Sequence, residues 1–292
     1  MIITEENNLA TVGIDAMSSI DIVKTINNED KMVALAVESE ALHIAEAIDL
    51  VSEAFLNGGN LIYFGAGTSG RLGVLDASEC PPTFNSSAQM VRAYIAGGNT
   101  AMFKAVEGAE DSYDEGVEDV LKAKIRSKDV VVGISASGNP AYLIGVMEKA
   151  SSIGAKVVGL TCNREAKIRS FCDVFIAVEV GAEVIAGSSR MKAGTAQKMV
   201  LNMISTGSMI KIGKVYQNLM VDVRCTNVKL VKRAMRIIMK IANTTEEQAL
   251  KFLEFSGYDI KIALVMLMKN VNKDMAIAML EEHNYVLRKV IG

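Results

Sequence analysis

Two short segments carry the side chains best suited to holding an anion. The first, Gly65-Ala66-Gly67-Thr68-Ser69-Gly70-Arg71, follows directly on the apolar run Leu61-Ile62-Tyr63-Phe64. The second, Gly133-Ile134-Ser135-Ala136-Ser137-Gly138-Asn139-Pro140, follows Val130 to Val132. Each places glycine and hydroxyls where a strand gives way to a helix. Backbone N–H groups, O–H donors and the positive end of a helix dipole then meet at one point, which suits a single phosphate. The first segment also matches G-x-G-x-x-G, but a dinucleotide site needs an acidic residue after the next strand to hold a ribose hydroxyl. No Asp or Glu occurs from Cys80 to Val106. A P-loop fails as well, because Arg71-Leu72 follows Gly70 where Lys-Ser or Lys-Thr is required. Either loop alone is compatible with a tight turn capped by serines. Two of them on one parallel sheet would converge on one phosphate.

Acid–base groups near these loops are carboxylates. Asp76-Ala77-Ser78-Glu79-Cys80 lies just beyond the first loop, and Glu107-Gly108-Ala109-Glu110-Asp111-Ser112 forms a second acidic cluster. A carboxylate beside an anion loop is a candidate general acid or base, with a pKa open to tuning by burial. A third segment, Glu183 to Lys198, crowds an acid, hydroxyls and cations into a loop that opens a helix; it includes Ser188 and Lys192. The three prolines, Pro81, Pro82 and Pro140, all follow the glycine loops, where a fixed φ would stiffen a site; Pro140 is expected in the first turn of its helix. Only two histidines occur, His43 and His283, so a Ser-His-Asp triad or a Cys-His dyad has little to draw on. Cys80, Cys162, Cys172 and Cys225 form no C-x-x-C pair, which argues against a zinc knuckle or a disulfide scaffold.

The positioning elements are legible around these motifs. The chain has 292 residues, half of them apolar, with 31 basic and 34 acidic side chains for a net charge of −3. This balance argues against a nucleic-acid or anionic-membrane surface. No apolar run is long enough for a membrane span, and the N-terminal residues lack the basic and apolar regions of a signal peptide, so a cytoplasmic protein is expected. Compact apolar runs at Leu61–Phe64, Met90–Ile95, Val130–Ile134, Lys156–Leu160 and Val174–Val178 alternate with helical patterns such as Ala141–Ser152. That alternation predicts βαβ units and a parallel, doubly wound α/β sheet. Helical spacing from Met32 to Phe55 predicts one helix capped near Asn28-Glu29-Asp30. From about Asn227 the chain turns Lys-, Met- and Leu-rich, with breaks at Asn243-Thr244-Thr245, Ser256-Gly257 and Asn270-Val271-Asn272, predicting three or four short helices. The organisation expected is therefore an N-terminal helical segment (1–57), a ligand-binding α/β domain (58–226) and a small helical domain (227–292).

The run from Gly65 to Phe84 resembles the signature of the N-acetylmuramic acid 6-phosphate (MurNAc 6-phosphate) etherases, and the resemblance extends to Gly181–Lys198, Met220–Val223 and Thr4-Glu5 with Asn7. It implies a sugar isomerase (SIS) fold, a three-layer αβα sandwich followed by a helical domain similar to ubiquitin-associated domains. It also implies a cytoplasmic homodimer without metal or cofactor, acting in recycling of cell-wall sugars. The implied reaction removes D-lactate from MurNAc 6-phosphate by elimination and then adds water. By this resemblance Glu79 serves the leaving oxygen and the added water, and Glu110 takes the C2 proton. Gly67, Thr68, Ser69, Gly70, Arg71, Ser135, Ser137, Gly138 and Asn139 fall on the phosphate loops, and Glu183, Ser188 and Lys192 on the sugar site. One departure stands out: the family's Ser-Gly-Arg-Thr-Pro reads Ser137-Gly138-Asn139-Pro140 here, without the arginine and threonine. The rival readings are a non-catalytic sugar-phosphate regulator on the same fold and an aldose–ketose isomerase, which needs no acid for a departing ether.

Overall fold

The computed structural model describes residues 3–223, Cys225 and residues 227–292. Two compact units emerge: Met1–Ser78 with Ala88–Ser205, and Glu79–Ser87 with Thr206–Gly292. The N-terminal helices thus group with the sheet, and the second unit begins upstream of the change in composition at Asn227.

The first unit opens with helices α1 (Ser19–Glu38) and α2 (Ala41–Leu56). There follow β1 (Leu61–Gly65), α3 (Gly67–Phe84), β2 (Val91–Ile95), α4 (Gly98–Phe103), α5 (Tyr113–Lys122), β3 (Val130–Ile134), α6 (Ala141–Ile153), β4 (Lys156–Thr161), β5 (Val174–Ala177) and α7 (Lys192–Lys211). The five strands pair in parallel in the order β2-β1-β3-β4-β5. They coincide with the five apolar runs, because a parallel sheet covered on both faces needs apolar side chains at consecutive positions; every residue of β1 and β3 is buried.

The two faces are covered by different helices. Ile62 and Phe64 on β1 and Val131 on β3 pack with Val120 of α5 and with Tyr142, Leu143 and Val146 of α6. Tyr63, one residue out of phase, points the other way and donates to Asp76 of α3 at 2.8 Å. Asp76 also accepts from Asn202 (2.7 Å) and Ser205 (3.0 Å) of α7, which ties α3 and α7 to that face. The result is an αβα sandwich.

Several local expectations are corrected. The first helix starts at Ser19, where the Ser18 hydroxyl accepts the Asp21 N–H, so Asn28 to Asp30 lie inside α1. The pattern from Met32 to Phe55 is broken at Ser39-Glu40. Buried Glu40 is the cause: its carboxylate accepts from Arg164 (3.0 Å) and from the Ala177 N–H (3.4 Å) at the end of β5, contacts that helical periodicity does not encode. Pro81 and Pro82 do not stiffen a loop but lie inside α3. They remove donors that would bond Ala77 and Ser78, and the helix ends at Phe84. Pro140 precedes α6 rather than opening it, with extended backbone (φ −55°, ψ 136°).

The second unit contains a hairpin of β6 (Val215–Tyr216) and β7 (Leu219–Met220), then α8 (Val228–Ala242), α9 (Glu246–Ser256), α10 (Ile260–Lys269), α11 (Lys273–Glu282) and α12 (Leu287–Ile291). From Val228 onward this is one helix more than the upper sequence expectation, the last being a five-residue turn that composition does not reveal. The three predicted breaks are real. Asn243, Gly257 and Asn270 take left-handed φ of 47°, 81° and 54°, and Thr245, Asp259 and Asn272 cap the helices that follow. Central α10 is buried over Ile260 to Met266, and Met235 and Met266 fill the core as ordinary apolar side chains. The buried Lys261 ammonium is neutralised by Asp222 at 3.0 Å, which Lys214 also reaches at 3.0 Å.

Candidate active site

A cavity of about 430 Å³ opens in the first unit at the carboxyl ends of β1 and β3. These neighbours flank the point where the strand order reverses, with β2 beyond β1 and β4 beyond β3, which is where doubly wound sheets bind ligands. Gly65 and Ile134 are in register, so both glycine loops leave the sheet at one level. The sequence expectation that they would converge is met: Gly67, Thr68 and Ser69 line the cavity together with Ser135, Ala136 and Ser137.

Each loop is built to present donors. In the first, Gly70 N–H bonds the Ala66 carbonyl at 3.2 Å, closing the first turn of α3. The N–H groups of Gly67, Thr68 and Ser69 therefore have no acceptor within the helix. Gly67 adopts φ +52°, and a Cβ on Gly70 would stand 2.6 Å from the Gly65 carbonyl oxygen, so Gly70 serves close packing of helix on strand and does not face the cavity. In the second loop the Ser135 hydroxyl accepts the Gly138 N–H at 3.0 Å and the Ser137 hydroxyl accepts the Asn139 N–H at 3.3 Å. Both serines use a lone pair on their own loop, which leaves their O–H hydrogens for a ligand.

Carboxylates complete the cavity. Glu110 and Asp111 reach it from a single 3₁₀ turn, Ala109–Asp111, that follows Gly108 at φ +72°. Thr4 and Glu5 enter from an N-terminal segment fastened by Thr4 carbonyl to Gly187 N–H (3.0 Å), by Thr11 hydroxyl to Val184 carbonyl (2.8 Å), and by Asn8 to Glu29 (2.8 Å) and the Ala182 carbonyl (3.2 Å). Gly187 has φ +76°, and a Cβ there would meet Glu5 Oε2 at 2.7 Å. Among the described residues no Lys, Arg or His lines the cavity, so the donors they bring to it are neutral.

The remaining sequence candidates are placed elsewhere. Arg71 Nε donates to the Met102 carbonyl at 3.2 Å, and Asn139 Oδ1 accepts the Lys167 N–H at 3.0 Å. Gly138, at φ +66°, would press a Cβ to 2.4 Å from Ala166. Glu183 is fully buried, and its carboxylate accepts the N–H groups of Lys192 (2.9 Å) and Ala193 (3.0 Å) at the start of α7. Burial pushes its pKa up, against the pull of those two bonds and of Lys192. The Lys192 ammonium pairs with Glu29 at 2.6 Å, and its hydrogen bond holds the Glu29 carboxyl below the usual range. Ser188 sits in a turn, its N–H on the Ile185 carbonyl and its own carbonyl on Met191 N–H; its neighbours Gly187 and Ser189 line the cavity instead. Glu79 is exposed on α3 within the span of the second unit and is not among the cavity's lining residues.

Asp111 and Ser189 lie in segments that the sequence marks, and Glu5 in a stretch that carries the family resemblance, but none of the three stands out as a site residue by type. Thr4 and Glu5 are some 180 positions from their partner Gly187, and no local pattern announces such a contact. Among the described residues, no cluster of His, Cys, Asp or Glu has the makings of a metal site, and no helix is long and apolar enough to cross a membrane.

The sheet order, the helical layers and the loops define an SIS-type α/β unit. Residues 102–206 match the SIS domain model, residues 43–151 match the N-terminal SIS domain of glucokinase regulatory protein, and residues 217–287 match the C-terminal lid domain of that protein. A solved phosphoheptose isomerase from Francisella tularensis shares this fold, with a TM-score of 0.50 at 15% identity over 66% of this chain and all of its own. The chain is 51% identical over 290 residues to an N-acetylmuramic acid 6-phosphate etherase of Clostridium botulinum, covering 99% of this chain and 96% of the relative. With the etherase of Vibrio atlanticus it shares 49% identity, covering 99% and 95%. It belongs to the N-acetylmuramic acid 6-phosphate etherase family.

Proposed function

We propose that this chain cleaves the D-lactyl ether of MurNAc 6-phosphate, giving N-acetylglucosamine 6-phosphate and D-lactate with net uptake of one water. The observation that carries this reading is the meeting of two donor loops and Glu110 in one cavity, in a chain half identical to enzymes of that name. The phosphate is held by O–H groups of Thr68, Ser69, Ser135 and Ser137 and by the unpaired N–H groups that open α3. This binding is remote from the bond that breaks, so its energy is available to orient the reacting carbons.

An alkoxide is a poor leaving group, so direct displacement at C3 is unattractive. Once the pyranose opens to its aldehyde, the C2 proton becomes acidic because the resulting carbanion is delocalised onto the carbonyl. Glu110 removes that proton, the C3–O bond breaks with its electron pair, and the departing lactyl oxygen receives a proton. Water then adds across the unsaturated aldehyde and the proton returns to C2. Glu79 serves the leaving oxygen and the incoming water; its place in the scheme rests on the family resemblance. Each positioned acid or base contributes on the order of 10²–10⁴-fold. A homodimer, a cytoplasmic location and a place in cell-wall sugar recycling complete the proposal.

The test is lactate release from MurNAc 6-phosphate by the purified protein, beside Glu79→Gln and Glu110→Gln. Release by the wild type and a loss of about 10²–10⁴-fold in Glu110→Gln are expected. Glu79→Gln loses lactate release while retaining exchange of the C2 proton with solvent. Full release by either variant overturns its assigned role, and phosphosugar binding without release makes the protein a sensor.

A further inference from the structure

Gln197, on α7, is 1% exposed and lies against the first loop. At the same end of α7, Gly194 would place a Cβ 3.4 Å from Thr68 Cγ2, so the start of this helix backs directly onto the donors. The Ser69 hydroxyl donates to Gln197 Oε1 at 2.9 Å, while buried Gln197 Nε2 has no hydrogen-bond partner among the described residues. Folded proteins rarely leave a buried amide NH₂ unsatisfied, and its presence calls for a reason.

The reason lies in what each amide orientation does to Ser69. While the Ser69 hydrogen is committed to Oε1, the hydroxyl offers the cavity lone pairs only, and a phosphate oxygen, itself an acceptor, is poorly received. Turning the amide by a half rotation exchanges its two polar atoms. Nε2 then donates to Ser69 Oγ across the same separation, the orphaned donor is satisfied, and the hydroxyl hydrogen is released towards the cavity. The carbonyl left behind is the more tolerable orphan, since under-satisfied C=O groups are less rare than unsatisfied N–H groups. We propose that Gln197 is a positioning residue that sets the direction of the Ser69 hydroxyl, its amide donating to Ser69 whenever phosphate occupies the cavity. The inference rests on the phosphate reading of the site and deepens it.

The test is direct calorimetric titration of the full-length protein with inorganic phosphate, using wild type, Ser69→Ala, Gln197→Met, Gln197→Glu and the Ser69→Ala/Gln197→Met double variant. KM and kcat for MurNAc 6-phosphate and a thermal midpoint are measured on each. Loss of one hydrogen bond weakens phosphate binding about tenfold in Ser69→Ala, and loss of its orientation weakens binding by a smaller factor in Gln197→Met. The double variant is no weaker than Ser69→Ala, because Gln197 acts on phosphate only by orienting the Ser69 hydroxyl. An ionised Gln197→Glu, able only to accept from Ser69, binds phosphate more weakly than Gln197→Met despite its closer shape, and KM rises by a larger factor than kcat falls. Additive losses in the double variant, or wild-type phosphate affinity in Gln197→Met with Ser69→Ala impaired, overturn the role of Gln197 and leave the phosphate site standing. Absence of phosphate binding by the wild type overturns the phosphate reading and this inference with it.

Discussion

Glu183 separates a structural carboxylate from a ligand-binding one. Its sequence setting, in a loop crowded with hydroxyls and cations, resembles a sugar site, but its two oxygens are engaged by Lys192 and Ala193 N–H at 2.9 and 3.0 Å. In Glu183→Gln the shape is kept and one oxygen still accepts, while the other position presents an NH₂ group to a backbone N–H. One hydrogen bond to a charged group is lost, worth ~1.5–3 kcal/mol, and one buried N–H is left without an acceptor, costing ~1–3 kcal/mol. Against this stands the relief of a buried charge, which is substantial because burial has raised the pKa of this carboxyl. The net destabilisation is about 2 kcal/mol, or a fall in Tm of ~4–8 °C for a unit of this size. Thermal and urea unfolding of the variant, with KM measured on the folded protein, is the assay. A lower midpoint with little change in KM is expected. An unchanged midpoint together with a raised KM would refute the capping argument and place Glu183 on the ligand.

Three further outcomes follow from the same reasoning. Asp76→Ala removes the acceptor shared by Tyr63, Asn202 and Ser205 and costs roughly 3 kcal/mol or more, whereas Asp76→Asn, which keeps an acceptor, costs less; urea midpoints compare them. Gly187→Ala sets a Cβ 2.7 Å from Glu5 Oε2 at a left-handed φ, so it moves the Glu5 carboxylate, raises KM for MurNAc 6-phosphate and costs on the order of 1–3 kcal/mol in backbone strain. Glu29 has a folded pKa below its unfolded value, so its pairing with Lys192 contributes stability above the unfolded pKa that is lost as pH falls through the folded one. Glu29→Gln is therefore less stable than wild type at neutral pH, and the gap closes on acidification in a series of urea curves.

What the sequence discloses and what it hides divide along physical lines. The five strands are readable because burial on both faces demands consecutive apolar residues. The convergence of the two loops follows from β1 and β3 being neighbours that end in register. The C-terminal helices are delimited by Asn and Gly in left-handed positions and by capping side chains, all local chemistry. Features that depend on distant partners are hidden. Glu40 interrupts an apparently continuous helix because its carboxylate reaches Arg164 and β5. Glu5 reaches the cavity through an N-terminal segment held by Glu29 and by the Ala182–Gly187 stretch, and Gln197 is one polar residue among many until its amide is seen against Ser69. Arg71, by contrast, sits in a glycine loop and looks like a phosphate ligand, yet its Nε is engaged by Met102.

That no cation lines the cavity among the described residues bears on the chemistry. Glu5, Glu110 and Asp111 already share this space, and a lysine or arginine among them would draw the carboxylates into ion pairs. Neutral donors hold a phosphate without that competition, at the cost of a weaker Coulombic pull, and so leave Glu110 free for the C2 proton in the proposed reaction. The departure at residue 139 fits this economy: Asn139 turns its side chain to the Lys167 N–H and stabilises the loop. The hydroxyls that face the cavity there are those of Ser135 and Ser137, each with its hydrogen uncommitted to its own loop. In the proposed reaction the lactyl carboxylate is negative both before and after the C3–O bond breaks, so Glu5 and Asp111 repel substrate and D-lactate alike. That repulsion sets no preference between cleavage and its reversal, and it leaves the proposed phosphate contacts as the main source of binding energy.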